Sequence, residues 1–153
     1  MVCGATRCYN RSMADHMTPE QRSRAMSRVG GKDTAPELYV RRALHAVGLR
    51  FRLHRRDLPG KPDMVLPRHR TVVLVHGCFW HGHDCPRGAR PQSNQEFWAA
   101  KLDRNIDRDH STRIRLEALG WHVETVWECA LDLGVERIVR RLQPSADTRA
   151  SER

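Results

Sequence analysis

"MVLPRHRTVVLV", Met64 to Val75, places two apolar runs on either side of a short polar turn. The pattern predicts a β-hairpin, with strands over Met64–Leu66 and Thr71–Val75 and the turn at Pro67–Arg70. After Thr71 the second strand is apolar at every position, which predicts burial on both faces. "LRFRLH" (Leu49–His54) precedes it and alternates like a further strand. "DLPGKPD" (Asp57–Asp63) reads as the loop between them.

Upstream, Thr34 to Val47 predicts a helix. Thr34 and Glu37 fit a capping box, Val40, Ala43, Leu44 and Val47 recur at helical spacing, and Gly48 is the stop. Pro19–Val29 reads as a short basic helix broken by Gly30 and Gly31. Downstream, Cys78 to Pro91 has the look of a loop. Ser93 and Glu96 form a second capping box that opens a long helix to about Leu119, with Gly120 as its stop. Trp121–Trp127 reads as a strand and Val135–Leu142 as a last helix. The order α, α, β, β, β, α, β, α predicts a mixed α/β domain around a small sheet flanked by helices. Residues 1–17 read as a flexible extension, in which Met13 and Met17 are alternative starts and Cys3 and Cys8 take no role. Residues 18–143 form one domain, and 144–153 a disordered tail.

The chain has 153 residues and a net charge of +9, and of its 27 basic residues only Lys32, Lys61 and Lys101 are lysines. An Arg-rich basic domain suggests a polyanion, although Arg-rich coding produces the same balance. No apolar run reaches the length of a membrane span and none resembles a signal peptide, so a soluble intracellular protein is expected. The five cysteines are an odd number without a secretion signal, which argues for metal ligation over a disulfide framework.

"HGCFWHGHDC", His76 to Cys85, concentrates that chemistry. Cys78, His83 and Cys85 offer three soft ligands from one loop, and Cys129, just past the Trp127 strand, is the candidate for a fourth. Together they would make a closed structural zinc site. The alternative is buried free thiols beside a surface histidine. Asp84 is a harder ligand and fits less well. Asp63, at the start of a core strand, suits a hard cation such as Mg²⁺, or is an ordinary turn residue. His76 and His81 are not needed for a four-ligand site. Each is a candidate general base for water attack on a phosphodiester, or a supporting group. Glu37 is fully explained as a cap. Leu102, Ile106 and Asp109 share a helix face, so Asp109 points inward and needs a partner. Phe79, Trp80 and Trp98 lie off core spacing and suit stacking on bases, or cover the zinc site. Trp121 and Trp127 read as core.

"LPGKPDMVL", "VHGCFWHGHDC", "EFWAAKLDRNIDRD" and "LGWHVETVWECAL" together resemble the very short patch repair (Vsr) mismatch endonucleases of bacteria, over about Thr18 to Leu142. The resemblance implies a restriction-endonuclease-like fold with a structural zinc. It implies an Mg²⁺-dependent enzyme that nicks one strand of duplex DNA beside a T:G mismatch left by deamination of 5-methylcytosine. A cytosine-5 DNA methyltransferase is then a functional partner, and a cytoplasmic, nucleoid-associated monomer is expected. Residue by residue, Asp63 and the backbone carbonyl of Val75 resemble the Mg²⁺ ligands. His81 resembles the general base, His76 and Asp109 its supporting groups, and Glu37 a further acidic group. Cys78, His83, Cys85 and Cys129 match the zinc ligands, and Phe79, Trp80 and Trp98 the DNA-wedging aromatics. The basic N-terminal helix is similar to a segment that grips DNA from the opposite groove. Val75 stands where the family often has Thr, and Gly82 and Asp84 where some relatives have histidine. Two other readings are a zinc-dependent DNA-binding module without catalysis and a nuclease of the same fold with a different substrate.

Overall fold

The computed structural model describes residues 32–92 and 94–143. The chain divides into two units, Met1–Thr34 and Ala35–Arg153. Of the first, only Lys32 to Thr34 are described, and every described strand and helix belongs to the second. The expected helix at Pro19–Val29, Cys3 and Cys8, the cap residue Ser93 and the tail at 144–153 lie outside the described residues.

The expected hairpin forms. Strand β2 (Met64–Leu66) pairs antiparallel with β3 (Thr71–His76), Met64 opposite Val73 and Leu66 opposite Thr71. The turn is a 3₁₀ segment, Pro67–His69, closed by Arg70 at φ 45°, whose N–H bonds Pro67 O at 3.1 Å. Strand β1 (Arg52–Leu53) pairs antiparallel with β2. It is shorter than its alternating sequence predicts. Leu49 is drawn into the core, and His54 at φ 45° leaves the extended region and ends the pairing. On the other side β4 (His122–Trp127) pairs parallel with β3 from Thr71–His122 to His76–Trp127. The sheet order is β1-β2-β3-β4, a mixed sheet.

Strand β3 is buried on both faces because each face has its own cover. Met64, Leu66, Val73 and Val126 pack with Val40 and Leu44 of α1 (Ala35–Ala46) and Ile138 of α3 (Leu131–Leu142). The alternate residues Val65, Val72, Leu74 and Val123 pack with Leu58 and with Leu116 of α2 (Gln95–Ala118). Each fully buried Val or Leu contributes roughly 1.5–3 kcal/mol by leaving water. Helix α2 opens at Asn94, which makes no side-chain cap. Helix α3 starts four residues before the expected Val135, because the 3₁₀ turn Glu128–Ala130 runs straight into it.

Strands β3 and β4 both end, and β2 begins, at the same edge of the sheet. That edge, beyond the carboxyl ends of parallel strands, is where open α/β sheets place ligands. It carries Asp63, Val75, His76, Trp127 and the start of the irregular segments after β3 and β4. At the opposite end the Arg70 guanidinium donates to Leu119 O at 2.9 Å and Gly120 O at 3.2 Å. This ties the hairpin to the end of α2, so α2 runs back along the sheet from the ligand-bearing edge.

Candidate active site

Asp63 enters β2 at that edge. Its Oδ2 accepts the Val75 N–H at 2.7 Å, and Oδ1 has no hydrogen-bond partner among the described residues. Burial pushes its carboxyl above the ordinary value, against the Val75 N–H, and the nearby charge of Glu37 adds to the rise. The contact with Val75 runs through the amide N–H. Glu37 is buried in the first turn of α1, and Arg41 Nη2 donates to its Oε2 at 2.9 Å. The same nitrogen lies 3.1 Å from His54 Nε2.

His76, His81 and Asp109 form one group, with donor atoms within 4.8 Å of each other. Asp63 and Glu37 are not part of it. His76 closes β3; His81 comes next in the loop, its N–H 3.3 Å from Gly77 O. Their rings stack at 3.9 Å, 8° from parallel. Asp109, on the inward face of α2, pairs through Oδ2 with His81 Nδ1. Burial acts to raise the Asp109 carboxyl, but the hydrogen bond and charge of His81 outweigh it and hold it below its ordinary value. An ionised carboxylate only accepts, so Nδ1 carries the proton and Nε2 is left as the basic nitrogen. His76 is held uncharged: burial and the charge of His81 lower it to about 4. Trp127 meets the His76 ring edge-on at 5.3 Å.

Cys78, His83, Cys85 and Cys129 bring one ligand atom each within 4.8 Å of the others. Cys129 Sγ lies 3.4 Å from His83 Nδ1, and the His83 ring stacks on Trp127 at 4.2 Å. The loop folds on its own backbone: His83 N–H bonds Cys78 O at 3.0 Å, and Gly88 N–H bonds Cys85 O at 2.9 Å. A Cβ at Gly88 would stand 1.9 Å from His83 O, so no side chain fits there. Burial pushes the Cys78 thiol up to about 12, with Cys129 and Cys85 beside it. Burial acts to raise Cys85 too, but hydrogen bonds from His83 and the loop backbone bring it to about 7. Three sulfurs and an imidazole in this arrangement can hold a soft or borderline metal ion. Asp84 is exposed and outside the group.

Phe79, Trp80 and Trp98 meet in one aromatic cluster, with centroids 5.0 Å apart for Phe79–Trp80 and 5.4 Å for Phe79–Trp98. Trp98 is only 7% exposed, whereas Phe97, which sequence reasoning passed over, is 50% exposed and edge-on to it at 5.4 Å. Lys101 Nζ stands 5.5 Å from the Trp80 ring and 5.7 Å from the Phe97 ring. Asn105 Nδ2 donates to Trp80 O at 3.1 Å, fixing the loop to α2. The signal that could have found Phe97 and Lys101 is their spacing on α2, one helical turn apart on the same face. No helix among the described residues is long and apolar enough to cross a membrane.

Comparison with known proteins places these residues in a family context. The family model described as "DNA mismatch endonuclease Vsr" matches residues 14–87. The type II nicking enzyme V.XorIIP of Xanthomonas oryzae is 48% identical over 136 residues, covering 87% of this chain and 100% of the relative. The type II nicking enzyme V.NmeAIP of Neisseria meningitidis is 44% identical, covering 78% of this chain and 85% of the relative. The DNA mismatch endonuclease Vsr of Escherichia coli is 43% identical, covering 78% and 76%.

Proposed function

The chain belongs to the Vsr family of DNA mismatch endonucleases, and from that premise we propose that it nicks one strand of duplex DNA beside a T:G mismatch left by deamination of 5-methylcytosine. The observation that carries the reading is the His81–Asp109 pair stacked on His76 at the sheet edge beside Asp63. A DNA-binding module without catalysis has no use for it.

Asp63 fits a divalent cation: Oδ2 is pinned by Val75 N–H, Oδ1 is left for a ligand, and burial raises the cost of leaving the charge uncompensated. Asp63 and the Val75 carbonyl would hold Mg²⁺, whose chemistry is to neutralise the scissile phosphate and the leaving oxygen. His81 Nε2 accepts a proton from the attacking water as the water oxygen bonds phosphorus and one ester P–O bond breaks. Asp109 fixes the tautomer and stabilises the imidazolium that forms. His76 holds the plane of the His81 ring while staying uncharged, and Glu37 adds to the acidic surroundings of Asp63.

Cys78, His83, Cys85 and Cys129 suit zinc, a structural ion that would fix the loop carrying Phe79 and Trp80. Those rings, buttressed by Trp98, wedge into the duplex. Unstacking a base step costs about a few kcal/mol and is least costly at a wobble pair, which gives mismatch selectivity. The catalytic domain spans 18–143. It works as a cytoplasmic monomer on nucleoid DNA, downstream of a cytosine-5 DNA methyltransferase. The test is strand nicking of a T:G duplex with Mg²⁺ by wild type, Asp63→Ala and His81→Ala. Undiminished nicking by either variant contradicts the assignment, and equal nicking of paired duplexes identifies a nuclease with a different substrate.

A further inference from the structure

On the α2 side of the sheet, the loop before Asp63 and the last turns of α2 border a shallow, open groove lined by Arg56, Asp57, Leu58, Lys61, Arg115 and Leu119. Arg56, Lys61 and Arg115 are exposed and take part in no ion pair among the described residues. Asp57 is engaged elsewhere: Arg55 Nε donates to its Oδ1 at 2.9 Å. Three cations without an ion-pair partner among the described residues therefore line one shallow surface beside Leu58 and Leu119. The basic groove on α3 differs, because its Arg137 and Arg141 are drawn to the buried Glu124 at 2.9 and 3.9 Å.

The loop that lines the groove leads directly into the candidate active site. Lys61 is separated from Asp63 by the buried Pro62 alone. The loop is pressed on α2, since a Cβ at Gly60 would stand 2.3 Å from Thr112 Cγ2, and Gly60 has φ +71°. Thr112 lies one helical turn beyond Asp109, and Arg115 a second turn beyond it, about 9 Å along the axis. A duplex strand carries one phosphate per about 3.4 Å of axis, so the roughly 9 Å from Asp109 to Arg115 along α2 spans about three phosphates. Exposed charges beside Leu58 and Pro59 suit backbone contact without base readout.

We propose that this groove is a phosphate track that binds the sugar-phosphate backbone flanking the cleavage point. The identity of the polyanion rests on the endonuclease reading; the track itself is tested separately. Affinity for an uncleaved T:G duplex without Mg²⁺ is measured across KCl concentrations for wild type, the triple variant Arg56→Gln/Lys61→Gln/Arg115→Gln, the double variant Arg56→Gln/Arg115→Gln and the α3 control Arg140→Gln. Each lost phosphate contact lowers the slope of log K against log salt by about 0.9. The track predicts slopes shallower by about 2–3 in the triple variant and about 2 in the double, with Arg140→Gln unchanged. The double variant decides the matter if the triple melts early, since neither arginine has an ion-pair partner among the described residues to lose. An unchanged slope in the double variant, or an equal drop in Arg140→Gln, overturns the proposal. Wild-type nicking of the same duplex is read in parallel: nicking with unchanged variant slopes refutes the track alone, and a slope drop without any nicking refutes the endonuclease reading alone.

Discussion

His76 and His81 stack with ring centroids 3.9 Å apart, and it is His81, not His76, that is paired with Asp109. Two imidazoles in van der Waals contact do not both carry charge cheaply. Burial and the neighbouring ring hold His76 down at about 4, so it is neutral from pH 5 to 8, while Asp109 is held ionised. His76 therefore adds no charge change of its own in that range. The nicking rate should rise with pH with a slope no steeper than one on a log scale. A slope of two would show both rings titrating and contradict the division of labour.

Glu124, buried on β4, accepts from Arg137 Nε at 2.9 Å and lies 2.9 Å from His122 Nε2. Burial acts to raise its carboxyl, but His122 and Arg137 outweigh this and lower it. A depressed carboxylate contributes stability that is present above its unfolded value, about 4.5, and is lost as pH falls through the lower folded value. Glu124→Gln should cost roughly 1–3 kcal/mol at pH 7, and the gap to wild type should narrow toward pH 3. Thermal melts at both pH values check this; a constant gap contradicts it.

Trp98 and Phe97 are neighbours with opposite burial, 7% against 50% exposed. Trp98→Ala should destabilise the fold by about 3–5 kcal/mol by opening a cavity under Phe79 and Trp80. Phe97→Ala should cost less than about 1 kcal/mol. Denaturant unfolding separates the two, and equal costs contradict the packing described.

The cysteine cluster should hold one zinc per chain. Stripping it with a chelator should lower the melting temperature and expose the Cys78–Pro91 loop to protease, because the four side chains would no longer be tied together by a common ion. Elemental analysis without zinc, together with an unchanged melt after chelation, contradicts this.

Much of the fold was legible because period-2 and period-3.6 patterns report burial directly. The Met64–Val75 hairpin, the doubly covered β3 and the inward Asp109 follow from that alone. The short β1 was not legible: alternation in Leu49–His54 does not reveal that His54 turns into the left-handed region. The Cys78, His83 and Cys85 spacing pointed to one cluster, and Cys129 joins it because β4 is parallel to β3 and ends beside it. The burial of Trp98 was hidden, since its covering rings come from a loop with no periodicity of its own. The groove at Arg56, Lys61 and Arg115 was hidden too, since only the Gly60–Thr112 approach brings those charges together.

The central claim is mismatch-directed cleavage of one strand. The most direct measurement is Mg²⁺-dependent nicking of duplexes that differ only at one pair, T:G against T:A and C:G, with each strand end-labelled. The account predicts a single nick in the T-containing strand of the T:G duplex and at least tenfold slower cleavage of the paired duplexes. Equal cleavage of all three, or cutting of both strands, would contradict it.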